Sequence, residues 1–91
     1  MYFLKYSNKF KKDIKCCAKR TDFKPNALEI VLNKIMENRP LEEKYQNHKL
    51  IGEFKDCFEC HIKSDLLLIY QIDRPNKLIY LLRIGSHSDL F

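Results

Sequence analysis

No apolar run in this sequence approaches the roughly 20 residues that a membrane-crossing helix needs, so no membrane association is expected. The first residues, Met1 to Ser7, lack the long apolar stretch and the small-residue cleavage site of a secretory signal, which points to a cytoplasmic protein. Repeats, low-complexity tracts and linkers are missing too. Ninety-one residues leave room for one hydrophobic core and not a second, so residues 1–91 are expected to form a single domain. Four cysteines are present, but without an export signal the default is free thiols rather than disulfides. Cys57 and Cys60 have the spacing of half a zinc knuckle, yet no second such pair follows. They also fall in an expected strand, where residues three apart point to opposite faces. Cys16 and Cys17 are neighbours on an expected helix and cannot easily face one ion. The reading is therefore small buried hydrophobes, with no metal and no cofactor.

What the chain does have is an ordinary globular balance, 45% hydrophobic and 32% charged residues, and a surplus of base. Seventeen lysines and arginines against twelve acids give a net charge of +5, which suits a polyanionic partner: nucleic acid or an acidic protein segment.

Periodicity supplies the fold. Tyr2 to Tyr6 is short, aromatic and alternating, a first strand. Ser7 or Asn8 can cap a helix on which Phe10, Ile14 and Cys17 form an apolar stripe. Its lysines, Lys9 and Lys12 among them, lie off the stripe, either as a solvated face or as phosphate contacts. Pro25 opens a second helix with Leu28, Val31, Leu32, Ile35 and Met36 at helical spacing. Leu41 to Gly52 reads as a polar loop containing His48, followed by strands over Phe54–Ile62, Leu66–Ile72 and Leu78–Ile84. The middle run is nearly continuous in apolar residues, as a doubly covered central strand requires. This order implies an α+β fold: two N-terminal helices on one face of a small, mostly antiparallel twisted sheet.

His48, His61 and His87 are the only histidines, each at a loop or strand end. An antiparallel hairpin returns its two ends to one edge, so His61 and Asp65 at one end and Arg83 and His87 at the other should gather. Imidazole titrates near neutral pH and can both take and give a proton. Cleavage of RNA by its own 2'-hydroxyl needs both acts, and a cation for the crowded phosphate, for which Arg83 is suited. That scheme needs no metal. The plainer readings are an Arg83 ion pair with Asp65 or Asp89, an Asp65 that shapes a turn, and a Phe91 that plugs the core.

The segment His48-Lys49-Leu50, Gly52, Glu59-Cys60-His61-Ile62-Lys63, Asp65, Leu67-Leu68-Ile69-Tyr70 and Arg83 to Phe91 resembles the YafQ branch of the RelE/ParE toxin superfamily over the whole chain. The resemblance implies a RelE-like toxin of a type II toxin–antitoxin system: a metal-independent endoribonuclease (mRNA interferase) acting on mRNA in the ribosome. It implies a cognate DinJ/RelB-like antitoxin, and contact with operator DNA only through the toxin–antitoxin complex. It further implies catalytic roles for His48, His61, Asp65, Arg83, His87 and Phe91, with His87 leading. For such a substrate the basic residues expected to contact RNA are Lys49, Lys63, Lys9 and Lys12.

Two positions depart from the branch. Leu66 stands where tryptophan is common, and Ser64 where proline is frequent. Leucine forgoes an aromatic stacking contact of roughly 1–3 kcal/mol, which bears on base preference rather than on acid–base chemistry. The alternatives are a ParE-like inhibitor of DNA gyrase, whose branch lacks this histidine set, and a non-catalytic module that binds RNA or antitoxin.

Overall fold

The computed structural model describes residues 1–20, 23–50, 57–63 and 65–90. β1 (Phe3–Tyr6) leads into α1 (Asn8–Ala18), and α2 (Pro25–Met36) follows. A single 3-10 turn (Glu43–Tyr45) precedes β2 (His48–Lys49), then β3 (Cys57–Lys63), β4 (Leu66–Asp73), β5 (Leu78–Gly85) and α3 (His87–Leu90). The five strands form one sheet in the order β1-β5-β4-β3-β2, antiparallel except for the parallel β1–β5 pair. The α+β architecture expected from periodicity is the one found.

Local chemistry explains the helix ends. Ser7 is the α1 cap: its Oγ accepts from the Phe10 amide at 2.9 Å and donates to the Leu82 carbonyl at 2.7 Å. Pro25 sits at the start of α2, where its missing N–H costs nothing. Asn38, at φ 57°, takes the left-handed position after α2. The Arg39 amide then reaches the Lys34 carbonyl and the Asn38 amide that of Ile35. Among the described residues, no helix is long and apolar enough to cross a membrane.

The helices and the sheet share one core: Phe10, Cys17, Leu28, Val31 and Ile35 meet Cys60, Ile62, Leu68, Tyr70, Ile79, Leu81 and Ile84. Leu66 to Tyr70 are buried without a break, so β4 is the doubly covered central strand. Leu67 and Ile69 belong to the second face, away from that core.

A β-bulge sets which side chains reach that second face. Ile69 pairs with Arg83 and Tyr70 with Leu81, leaving Leu82 as an extra residue. Strict alternation would send Leu81 and Arg83 to the same side. The bulge resets the phase, so Leu81 and Ile84 both enter the core while Arg83 stands opposite Ile69. Ser7 holds the bulge by donating to two of its carbonyls, Leu81 through its amide and Leu82 through its hydroxyl.

Two details differ from the sequence reading, and one expectation falls outside the described residues. The polar stretch after α2 is not all loop: Tyr45 is buried in the core cluster, and His48 and Lys49 pair with β3. The third strand is described from Cys57 onward, and the expected Phe54 start and Gly52 lie outside the described residues. The polar tail, expected only as a strand exit, forms α3.

Candidate active site

The second face of the sheet carries the polar residues, and its strand register builds them into rows. His48 lies opposite Glu59, Glu59 opposite Ile69, and Ile69 opposite Arg83. Side chains that oppose one another across a sheet share a face. His61, two residues beyond Glu59, falls in the next row, opposite Leu67, which in turn pairs with Gly85. Thus His48, Glu59, His61 and Arg83 line the face opposite the helix-side core.

His87 arrives by a different route. Ser86 caps α3 by accepting from the Asp89 amide at 3.2 Å, while the Asp89 carboxylate accepts from the Ser86 amide at 3.1 Å, a reciprocal capping box. Those contacts, the Ser86 amide first and its hydroxyl second, hold the Asp89 carboxyl below the usual carboxylate range. The box puts His87 at the first position of the helix. A Cβ on Gly85 would lie 3.2 Å from Asp89 Cβ, so glycine lets this turn fold back tightly.

Asp65 receives His87 twice. Its Oδ1 accepts the His87 amide at 3.2 Å and lies 3.2 Å from the His87 Nδ1. The amide first, and the imidazole second, hold the Asp65 carboxyl below its ordinary value. An ionised carboxylate only accepts, so the Nδ1 contact requires a proton on Nδ1. Nε2 is then the nitrogen left for other work. The His61 ring lies edge-on to that of His87, with centroids 5.7 Å apart.

Glu59 is the residue that the sequence reading passed over. It is 6% exposed, and its Oε1 lies 3.3 Å from His48 Nε2 and 3.7 Å from His61 Nε2. One buried carboxylate therefore faces two of the three histidines. The signal was available, because period two puts Glu59 and His61 on one face. Tyr70 anchors the approach to His48, its hydroxyl donating to Asn47 Oδ1 at 2.8 Å.

Arg83 does pair with a carboxylate, but with neither Asp65 nor Asp89. Asp13 of α1 accepts from its Nε at 2.7 Å and its Nη2 at 3.1 Å, and also takes the Ile84 amide at 3.1 Å. The reason is topological: β1 pairs with Leu78 to Leu81 and stops, and α1 meets the edge of β5 beyond it. The pair holds the Arg83 guanidinium above its ordinary pKa. A guanidinium has five N–H groups, and Asp13 takes those of one side edge. The end-on hydrogens of Nη1 and Nη2 remain. A cleft of about 240 Å³ beside them is lined by Asp13, Cys17, Arg20, Arg83 and Asp89.

The lysines are more scattered. Lys49 follows His48 on β2, and Lys63 lines a cleft with His61 and Tyr45. Lys9 and Lys12 are exposed on α1, off the histidine-bearing strands, with Lys9 one turn before Asp13. Phe91 lies outside the described residues. Cys57 and Cys60 are both buried, and only Cys60 joins the helix-side core, as expected for opposite faces. Burial pushes the Cys60 thiol up to about 12.

Comparisons with known proteins identify the family and match the fold. A family model described as the bacterial toxin of type II toxin–antitoxin system, YafQ, matches residues 2–91. The mRNA interferase toxin YafQ of Escherichia coli K12 is 33% identical over 89 residues, covering 97% of this chain and 94% of that one. Among solved structures, a metal-bound toxin from Helicobacter pylori is 43% identical, with a TM-score of 0.93 and full coverage of both chains. The DinJ–YafQ complex of E. coli is 32% identical at a TM-score of 0.88, covering 100% of this chain and 99% of that chain. With its whole described sheet and nearly its whole length matched, the chain belongs to the YafQ family of type II toxin–antitoxin toxins.

Proposed function

We propose that this toxin is a ribosome-dependent endoribonuclease that cuts mRNA by attack of the 2'-hydroxyl on the adjacent phosphate. The observation that carries the reading is the Asp65–His87–His61 arrangement. Asp65 fixes Nδ1 of His87 as a donor, so Nε2 can alternate between lone pair and N–H beside a second imidazole 5.7 Å away. The reaction needs that pair of states. The 2'-oxygen bonds to phosphorus and its proton goes to a base; the bond from phosphorus to the 5'-oxygen breaks and that oxygen takes a proton from an acid.

His87 and His61 carry the two transfers, and His48 and Glu59 hold His61 and the substrate beside them. The end-on hydrogens of Arg83 meet the phosphate oxygens. Phe91 contributes a substrate contact, as its family counterpart implies. Lys49 and Lys63, with Lys9 and Lys12 farther out, supply the salt-dependent hold on the RNA backbone. No step in this scheme is routed through a metal ion.

The E. coli relative is named an mRNA interferase, and another structure holds YafQ with DinJ. The first supports an RNase reading here, and the second a DinJ/RelB-like antitoxin as partner. The ribosome and its mRNA as target in the cytoplasm, and operator DNA contacted only through the complex, complete the proposal. The test is translation of a defined mRNA on purified ribosomes, with 5' ends mapped by primer extension. Discrete cuts in the translated codon are expected from wild type and not from His87→Ala. A folded wild type that leaves the message whole would sink the proposal, and inhibited supercoiling by gyrase would replace it.

A further inference from the structure

One row of the second face lies next to the histidines without entering the acid–base chemistry. Cys57 stands opposite Gln71, Gln71 opposite Tyr80, and Tyr80 opposite Lys5. The row of His48, Glu59, Ile69 and Arg83 is its neighbour, one strand period of about 7 Å away. We propose that this row is a nucleobase subsite: the base next to the cleaved phosphate stacks on the Tyr80 ring, and the Gln71 amide bonds its edge. The inference rests on the ribonuclease reading and says how that site holds and selects its RNA.

The bulge at Leu82 is what brings Tyr80 here. Tyr80 and Arg83 are three residues apart, and strict alternation would send them to opposite faces. With the extra residue they occupy adjacent rows of one face. A phosphate held by Arg83 therefore has a ring within the span of one nucleotide.

Aromatic surface is otherwise scarce on this side of the sheet. Tyr2, Phe10, Phe23, Tyr45, Phe58 and Tyr70 lie in or against the helix-side core. Leu66, at the position where the branch commonly has tryptophan, is 5% exposed and belongs to the same core. Among the described residues, the second face has Tyr80 and, one row farther from Arg83, Phe3 opposite Leu78. An aromatic platform suits a single strand because every base has a π-face to lay on it.

The two tyrosines of the β4–β5 pair differ accordingly. Tyr70 is buried, stacked on Phe58 and bonded to Asn47, as a structural residue is. Tyr80 and Gln71 are half-buried and line an open cleft of about 540 Å³ with Lys49, Asp73 and Arg74. Lys49 follows His48 on β2, so the cleft continues from the catalytic row. Lys5 on β1 and Lys49 on β2 put positive charge at both edges of the sheet, where the flanking phosphates of a bound strand would run. Gln71 adds selectivity, since one amide carries both a donor and an acceptor for a base edge.

The experiment measures cleavage of a defined mRNA over a range of ribosome concentrations, with wild type, Tyr80→Leu, Tyr80→Phe and Gln71→Leu. Leucine keeps apolar bulk and removes the ring, so it tests stacking rather than folding. Tyr80→Leu should raise KM about tenfold with kcat near that of wild type, and Tyr80→Phe should restore wild-type KM. Gln71→Leu should spread the cuts over more codons. As a direct readout, an mRNA with 4-thiouridine beside the scissile phosphate, and 2'-deoxyribose at the attacking position, should crosslink to Tyr80 under near-ultraviolet light. Peptide mass spectrometry locates the crosslink. A wild-type KM in Tyr80→Leu, a loss confined to kcat, or crosslinks that bypass Tyr80 overturns the stacking. An unchanged codon pattern in Gln71→Leu overturns the base reading. A wild type that crosslinks through Tyr80 and cuts no unmodified message overturns the ribonuclease reading alone.

Discussion

Asp13 and Arg83, seventy residues apart, form a two-point ion pair at 2.7 and 3.1 Å, and Asp13 also takes the Ile84 amide. One carboxylate thus closes the free edge of β5 and aims the guanidinium. Asp13→Ala should cost stability and activity together. Charged hydrogen bonds of this kind contribute roughly 1.5–3 kcal/mol, a fall in Tm on the order of 10 °C for a domain this size. A disoriented Arg83 should also slow cleavage by about 100-fold, the usual cost of losing one donor to a developing anion. Calorimetry and the ribosome assay measure the two effects. A stable, fully active Asp13→Ala protein would show that Arg83 needs no support from α1.

The Asp65–His87 contact predicts a pH dependence with a definite sign. The His87 amide and imidazole lower the Asp65 carboxyl in the folded state, so on acidification the unfolded chain takes up this proton first. The stabilisation is therefore complete above the ordinary carboxylate value of about 4 and is lost as pH falls through the lower folded value. Urea unfolding should find wild type more stable than Asp65→Asn at about pH 7, with the gap closed at about pH 2. A gap that persists in acid would mean the carboxylate charge is not what Asp65 contributes.

Much of this was legible in the chain itself. Leu28, Val31 and Ile35 recur at helical spacing and are buried, while the unbroken Leu66–Tyr70 run marks the central strand. The gathering of His61, Asp65 and His87 followed from hairpin logic. What escaped were matters of edge and phase. The bulge at Leu82 has no sequence signature, since Leu81, Leu82 and Ile84 are equally apolar, yet it decides which way Arg83 points. The Asp13 partnership depends on where β1 stops relative to β5. Tyr45 looked like part of a polar loop because a single aromatic among Glu42, Glu43 and Lys44 carries no periodicity, although it is buried.

The thiols should divide sharply by burial. Cys16 is exposed, whereas burial raises both Cys17 and Cys60, the latter to about 12. Only the thiolate reacts with alkylating agents. Brief treatment of native protein with iodoacetamide near neutral pH should modify Cys16 and leave Cys17 and Cys60 unmodified by peptide mass spectrometry. Equal labelling of Cys60 would mean that β3 opens from the core on that timescale.

Tyr70 connects the core to the His48 segment. Its ring is buried and stacks on Phe58 with centroids 5.5 Å apart, while its hydroxyl, whose pKa burial raises, donates to Asn47. Tyr70→Phe keeps the ring and removes that one bond. The expected cost is about 1 kcal/mol, with the acceptor Asn47 turning to solvent. The larger effect should be local, because β2 is only two residues long and pairs with β3 on one side. Amide exchange around His48 should quicken while Leu67 to Ile69 in β4 stay protected. If His48 matters by its position against Glu59, cleavage should fall further than the stability loss explains. Unchanged exchange at His48 would show that the β2–β3 pairing alone holds the histidine, and that the Tyr70 hydroxyl serves only its own burial.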